Sequence, residues 1–328
     1  MSVVAITGTG SLFGQAIIKS IKNSSFKNST LIGMDYFKNT VGSNWVDKNF
    51  VLPDLLDIAV TDSMWLKRVQ SIIKDNQVEI LFVGVDFELP LFSKYKKQIE
   101  RLTYCIVIVS DEKTIEIADD KYLTYKFLKD NNFNYPLSFL ESEIDAAIDE
   151  DLIHFPMIIK PRNGYRSVDV HVVHDRSNLN QKISCIKNPI MQEYIGSKET
   201  EYTCGVIAFN GDVKKSIVLN RTLKDGNTYT TSLRADFPSV IKVYIESVSA
   251  KLDQFGVCNF QLRMDKGVPK IFEINARHSG TTYIRSLYGF NEVEYILELI
   301  LNKKEIDFDI KEGKVQRYFD EFFVGFEK

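Results

Sequence analysis

Apolar residues in this chain gather in short runs, and the spacing between the runs changes character along the sequence. Over roughly the first 110 residues, Ser2 to Thr7, Thr30 to Met34, Glu79 to Val85 and Tyr104 to Val109 are too short and too continuously apolar for surface helices. They read as buried strands, and the amphipathic stretch Gln15 to Lys22 between the first two reads as a helix. Strands alternating with helices predict an open parallel sheet that receives ligands at the carboxyl ends of its strands. From Asp111 the pattern is helical as far as Asp130, where Asn131-Asn132 supplies a stop. Beyond it Phe155 to Pro161, Val168 to Val173, Ile190 to Ile195, Tyr202 to Phe209 and Val213 to Asn220 predict strands. Asn210-Gly211-Asp212 turns the last two into a hairpin. The fold class is α/β, passing to α+β in the C-terminal part.

One further pair of runs carries most of the chemistry. Asn259 to Met264 alternates, Asp265-Lys266-Gly267-Val268-Pro269 is turn chemistry, and Ile271 to Thr282 reads IFEINARHSGTT. A hairpin symmetric about Gly267 sets Gln261 opposite Glu273 and Asn259 opposite Asn275. Alternation puts Ile271, Glu273 and Asn275 on one face, and Phe272 and Ile274 on the other. Oxygen ligands gathered in this way suit Mg²⁺, a hard cation that takes one or two carboxylates and completes its shell with phosphate and water. Arg277 follows two residues later and can grip a phosphate through two parallel hydrogen bonds. A hairpin with a polar solvent face produces the same pattern, so the hairpin alone leaves both readings open.

Upstream segments add cations. Lys160 ends an apolar run just before the loop Arg162-Asn163-Gly164-Tyr165-Arg166-Ser167, which makes a physically sensible phosphate clamp of a point charge and loop amides. Lys121, beside Asp120, lies within the helical stretch. Two motifs point elsewhere. Gly8-Thr9-Gly10-Ser11-Leu12-Phe13-Gly14 approximates a dinucleotide fingerprint with Asp35 on a ribose hydroxyl, but Phe13 stands where the third glycine belongs. Tyr122 and Lys126 share a helix face and resemble the catalytic couple of short-chain reductases.

At 328 residues the chain is long enough for two or three domains. Its 44% hydrophobic and 26% charged content exclude a disordered or membrane-embedded class. A net charge of -3 offers no bulk attraction to nucleic acid or anionic membrane, so the expected partner is a small molecule. Cys105, Cys185, Cys204 and Cys258 are far apart and lack metal-ligand spacing, so they read as reduced core residues of a cytoplasmic protein. His154, His171 and His174 read as structural, which leaves His278 beside the candidate phosphate site.

Taken in order, Asp120-Lys121, Ile159-Lys160-Pro161, Gln192-Glu193-Tyr194-Ile195, Glu201-Tyr202-Thr203, Gln261 and Glu273-Ile274-Asn275-Ala276-Arg277 resemble the ATP-grasp superfamily. The likeness is to the branch of carbamoyl-phosphate synthase and the amino-acid ligases. The resemblance implies a Rossmann-like domain over residues 1–111 that binds no dinucleotide, a lid subdomain over 112–190 and a C-terminal ATP-grasp subdomain over 191–328. It implies ATP and Mg²⁺ as cofactors, with Lys121 and Lys160 on phosphates, Glu193 and the backbone of Tyr194 and Ile195 on adenine, and Glu201 on the ribose. Gln261, Glu273 and Asn275 would form the magnesium set, with Arg277 and Arg221 as the catalytic guanidiniums. The implied activity is ligation of a small carboxylate to an amine through an acyl phosphate. Homo-oligomerisation is left open. Arg166 and Asp169 stand where the family's loop is usually richer in glycine, so a nucleotide-binding regulatory protein without turnover stays an alternative, as does an NAD(P)-dependent reductase.

Overall fold

The computed structural model describes residues 2–164, 168–321 and 323. Its first layer is a parallel sheet of β1 (Val3–Thr7), β2 (Thr30–Asp35), β3 (Lys48–Val51), β4 (Ile80–Phe82) and β5 (Ile106–Ile108). Its strand order is β3-β2-β1-β4-β5. β1, β2 and β4 are buried nearly throughout, as continuous apolar runs flanked by helices must be. Helices Leu12–Lys22, Asp62–Asp75 and Leu89–Thr103 cover the faces; the last two and β3 were not located from sequence. Chain order reverses between β1 and β4, which opens a crevice at their carboxyl ends. Glycine is required there: a Cβ at Gly14 would lie 2.2 Å from the Gly8 carbonyl oxygen, and one at Gly84 2.1 Å from that of Thr7.

The predicted helix from Asp111 is two helices, Glu112–Asp119 and Lys121–Asp130. Asp120 divides them because its carboxylate accepts from the backbone N–H groups of Tyr122 and Leu123, starting the second helix at Lys121. A small antiparallel sheet follows, of β6 (Ser138–Leu140), β7 (Met157–Pro161), β8 (His171–Val173) and β9 (Pro189–Glu193), in the order β6-β9-β7-β8. It has its own core of Phe139, Ile159, Leu179 and Met191 with their neighbours.

The third sheet is antiparallel, with β10 (Glu201–Phe209), β11 (Asp212–Lys224), β12 (Asn227–Leu233), β13 (Phe255–Asp265), β14 (Val268–Asn275) and β15 (Gly313–Gln316). Its order is β14-β13-β10-β11-β12-β15. Alternation sends Tyr202, Cys204 and Val206 toward helix Ser239–Leu252, while Ile207 meets Ile284 and Ile296 from helices Thr282–Leu287 and Glu292–Asn302. Both clusters also take in residues of the parallel sheet, Ala5 and Met34 in one, Val4 and Ile6 in the other. Among the described residues no helix is long and apolar enough to cross a membrane.

The β13–β14 hairpin explains how the candidate metal set is aligned. Its turn is the two-residue Lys266-Gly267, both at positive φ, so Asp265 pairs with Val268 and Leu262 with Ile271. A bulge then shifts the register and sets Gln261 opposite Glu273 and Asn259 opposite Asn275, the pairs that symmetry about Gly267 predicts. The bulge also corrects the expected faces. Ile271 and Ile274 both enter the core, and Phe272 and Glu273 both turn to the opposite side.

Candidate functional site: a cationic cleft between the two antiparallel sheets

A cleft lies where the small sheet faces the large one. It brings together Lys121, Lys160, Glu193 and Ile195 from one side with Glu201, Arg221, Gln261 and Glu273 from the other. Its apolar walls are Ile158, Pro161, Val170, Leu223 and Phe272. Flat apolar walls with a few convergent charges are the ordinary make-up of a small-molecule site.

Lys160 is the most perturbed group that lines the cleft. Its Nζ is buried at the end of β7, donating to Gln192 Oε1 at 2.7 Å and to the Phe272 carbonyl at 3.5 Å. Gln192 is itself fixed by donating to Ser138 Oγ at 3.0 Å. Burial, reinforced by the Lys121 charge, pulls the Lys160 ammonium down to about 7. An anion entering the cleft would offset both effects by its attraction for the ammonium. Lys121 Nζ donates to the carbonyls of Arg162 and Gly164, at 3.3 and 3.2 Å, and so faces the loop after β7. Arg162 locks that loop to the helix start by pairing with Asp120. Arg166 lies outside the described residues, while Asp169 takes a φ of 56°, the left-handed conformation in which a glycine would be easiest.

Glu201 is buried between two guanidiniums, accepting from Arg221 Nε at 2.8 Å and from Arg263 Nε at 2.9 Å. Arg221 also donates to Gln261 Oε1 at 2.8 Å. Glu273 accepts from Asn275 Nδ2 at 3.0 Å, and Asn275 Oδ1 accepts from Arg277 Nη2 at 2.8 Å. Glu273 and Asn275 are thus in contact and Gln261 stands opposite Glu273, but Asn275 and Arg277 do not line the cleft. Tyr194 also stays off its wall, with Arg263 over its ring at 5.6 Å. Glu193 lines the cleft with its carboxylate already held by Lys270 Nζ at 2.7 Å and the Leu137 N–H at 3.0 Å. Arg263, Lys270 and Phe272 were not singled out from sequence. Arg263 could have been, since it follows Asn259 and Gln261 at strand period.

Other expectations are corrected. The glycine turn spends several of its amides internally: Ser11 Oγ accepts from the Phe13 and Gly14 N–H groups, and Asp35 accepts from Gly10 N–H at 2.7 Å and Thr9 Oγ1 at 3.0 Å. Tyr122 is poorly placed for a reductase acid: its hydroxyl donates to Glu143 at 2.8 Å, and burial, followed by that carboxylate, pushes it up to about 12. Lys126 is exposed beside it. Cys185 is exposed, not a core residue, whereas Cys105, Cys204 and Cys258 are buried thiols. His278 is buried with Nδ1 3.1 Å from Glu292.

A model of the ATP-grasp domain matches residues 118–281, half of the chain, and the chain belongs to that family. Carbamoyl phosphate synthase large chain of Helicobacter pylori is 22% identical over 245 residues, which cover 70% of this chain and 22% of the relative. The chain therefore spans about a fifth of that relative's length. Among solved structures, the L-amino acid ligase from Bacillus licheniformis superposes with a TM-score of 0.72 at 17% identity, over 95% of this chain and 78% of that one. The biotin carboxylase domain of Hydrogenobacter thermophilus 2-oxoglutarate carboxylase, solved with MgADP, ADP and bicarbonate, superposes with a TM-score of 0.71 at 12% identity, over 95% and 73%.

Proposed function

We propose that this chain is an ATP-dependent carboxylate–amine ligase that works through an acyl phosphate. The observation that carries the reading is the meeting, in one cleft, of the cations Lys121 and Lys160 with the facing pair Gln261 and Glu273. In this reading residues 1–111 form the Rossmann-like domain, 112–190 the lid and 191–328 the C-terminal subdomain. The protein acts in the cytoplasm on small-molecule substrates.

The donor set fits a hard divalent ion in kind, with Glu273 as its carboxylate, and binding would need the Gln261 and Asn275 amide oxygens to exchange Arg221 and Arg277 for the ion. One carboxylate and two amide oxygens stand on neighbouring strands, and among the described residues no cluster of three His, Cys, Asp or Glu could hold a metal. Mg²⁺ held by Glu273, Gln261 and Asn275 would therefore take the rest of its shell from phosphate and water, its ordinary habit. Bound there, it supplies charge neutralisation on the phosphates.

The chain's own residues position and neutralise. Lys121 and Lys160 contact the phosphates, and Ile158, Ile195 and Phe272 sandwich the adenine, whose edge meets Glu193 and the backbone of Tyr194 and Ile195. Glu201 takes the ribose, while its two guanidiniums hold it in place. A carboxylate oxygen attacks the γ-phosphorus, ADP leaves, and Arg221, on the cleft wall, steadies the charge on the transferred group; Arg277 joins it only by leaving Asp86 and Asn275, which hold it off that wall. An amine then attacks the acyl carbon, the C–N bond forms, the C–O bond to phosphate breaks, and phosphate leaves carrying the proton that the amine nitrogen gives up. MgADP in the biotin carboxylase structure supports the nucleotide assignment for a shared fold.

Hydroxylamine trapping tests the intermediate. The full chain with MgATP and a panel of carboxylates is expected to yield hydroxamate and ADP together, and Glu273→Ala to yield neither. Tight MgATP binding with no hydroxamate or ADP from any carboxylate would support the non-catalytic alternative instead.

A further inference from the structure

Arg263 lines the cleft, and its hydrogen bonds fall at the end that the ligase reading gives to the nucleoside. It stands on β13 directly opposite Glu201 of β10, with its side chain only 17% exposed. Its Nε donates to Glu201 Oε2 at 2.9 Å and its Nη1 to the Ile195 carbonyl at 3.3 Å, while the guanidinium lies over the Tyr194 ring at 5.6 Å. One planar group therefore ties the proposed ribose carboxylate to both residues whose backbone is assigned to adenine. A lysine, a point charge with neither the fork nor the flat face, would not make these three contacts together.

The joint beneath is closely packed. Residues 194–200 carry the chain from the small sheet to the large one, and Gly196 turns there at a φ of 51°. A Cβ on Gly196 would lie 2.4 Å from the Met264 carbonyl oxygen, which accepts from Thr200 Oγ1 at 3.1 Å. The crossing is thus seated on β13 beside Arg263, whose side chain holds its start through Ile195.

The two guanidiniums on Glu201 are not equivalent. Arg221 takes Oε1 and also donates to Gln261 Oε1 at 2.8 Å, so it is shared with the proposed metal set, and the reading sends it to the transferred phosphate. Arg263 takes Oε2, and among the described residues its other hydrogen bond goes to Ile195. Arg263 can therefore stay on Glu201 when Arg221 moves.

We infer that Arg263 is a positioning residue that sets ribose selectivity: it keeps Glu201 aimed at the ribose hydroxyls and aligned with the adenine-binding backbone while Arg221 serves the phosphate. The inference rests on the nucleotide assignments of the ligase reading and adds to them separate roles for the two guanidiniums.

Calorimetry of the full chain with the magnesium complexes of ADP, 2′-deoxyADP and 3′-deoxyADP tests it. Wild type should bind MgADP at least tenfold tighter than the weaker deoxy analogue, the size of a hydrogen bond to a charged group. Arg263→Met should weaken MgADP at least tenfold and bring that preference below threefold, with Arg263→Lys falling between. In hydroxamate formation Arg263→Met should raise the MgATP KM at least tenfold with kcat within threefold, whereas Arg221→Met should lower kcat at least tenfold. Equal weakening of all three nucleotides in both Arg263 variants, with the ribose preference kept, would reveal a merely structural role and overturn the inference. So would a fall in kcat matching that of Arg221→Met, or a wild type that binds the three nucleotides alike or not at all. A chain whose ribose preference is lost in Arg263→Met, yet which forms no hydroxamate from any carboxylate, overturns the ligase reading alone.

Discussion

Phosphate binding in this cleft should draw a proton from solvent, and Lys160 sets how much. Its ammonium, pulled down to about 7 by burial and then by Lys121, is mostly neutral in the free protein at pH 8. With that value the neutral fraction is about 0.9 at pH 8 and about 0.1 at pH 6. A bound phosphate restores the charge, so MgADP or MgATP binding should take up nearly one proton at pH 8 and almost none at pH 6. Because binding must protonate a group that is neutral above about 7, affinity should fall by up to tenfold per pH unit from there toward the ordinary lysine range. Calorimetry in buffers of different ionisation enthalpy reads the proton count directly. Lys160→Met should bind nucleotide weakly, with the pH-8 uptake gone. Equal uptake at pH 6 and pH 8, or uptake that persists in Lys160→Met, would refute the assignment of Lys160 to the phosphates.

The same residue makes a stability prediction of definite sign. Between about 7 and its unfolded value Lys160 binds more protons unfolded than folded, so its burial costs most at low pH. Urea unfolding of Lys160→Met should therefore show a relative gain at pH 6 over pH 9 of about 2–3 kcal/mol. Elsewhere, Arg285 and Glu292 form a pair with neither side chain exposed, Nη1 to Oε2 at 2.9 Å. Arg285→Met should cost about 3–5 kcal/mol by stranding the carboxylate. Burial would raise the Glu292 carboxyl, but Arg285 and then His278 outweigh it and hold it well below its ordinary value. Its stabilisation is complete above the usual glutamate range and lost as pH falls below it, so wild type should show an acid transition there that Glu292→Gln lacks. Glu201→Gln should raise the Kd for MgATP at least tenfold in equilibrium binding, since it frees two guanidiniums to repel one another. Tyr122→Phe should leave ADP formation unchanged, which separates the cleft from the reductase motif.

Much of this architecture was legible because the local signals were backbone signals. The run from Ser2 to Thr7 became β1, Asn210-Gly211 a hairpin turn at positive φ, and Gln261 and Glu273 met across two strands. Faces near the site were less legible. Phe272 sits in a bulge that no alternation rule anticipates, and it turns with Glu273 toward the cleft. β3 is only four residues long and partly exposed, so it carries almost no hydrophobic pattern. Pairings made at long range were invisible. Glu193 looked free for a base edge until Lys270 met it, and Arg277 looked free for phosphate until Asp86 did. Asp35 looked like a ribose ligand because nothing in the sequence shows that Thr9 and Gly10 take its Oδ2 and the Tyr36 and Phe37 N–H groups its Oδ1.

The central claim is that the cleft couples ATP cleavage to joining a carboxylate and an amine. Its most direct test is ADP release from MgATP across a matrix of carboxylates and amines, with Glu273→Ala in parallel. Release should need both substrates and fall at least a thousandfold in Glu273→Ala. Release that ignores the substrates or survives the loss of Glu273 would contradict it, as would a chain that does not bind ATP.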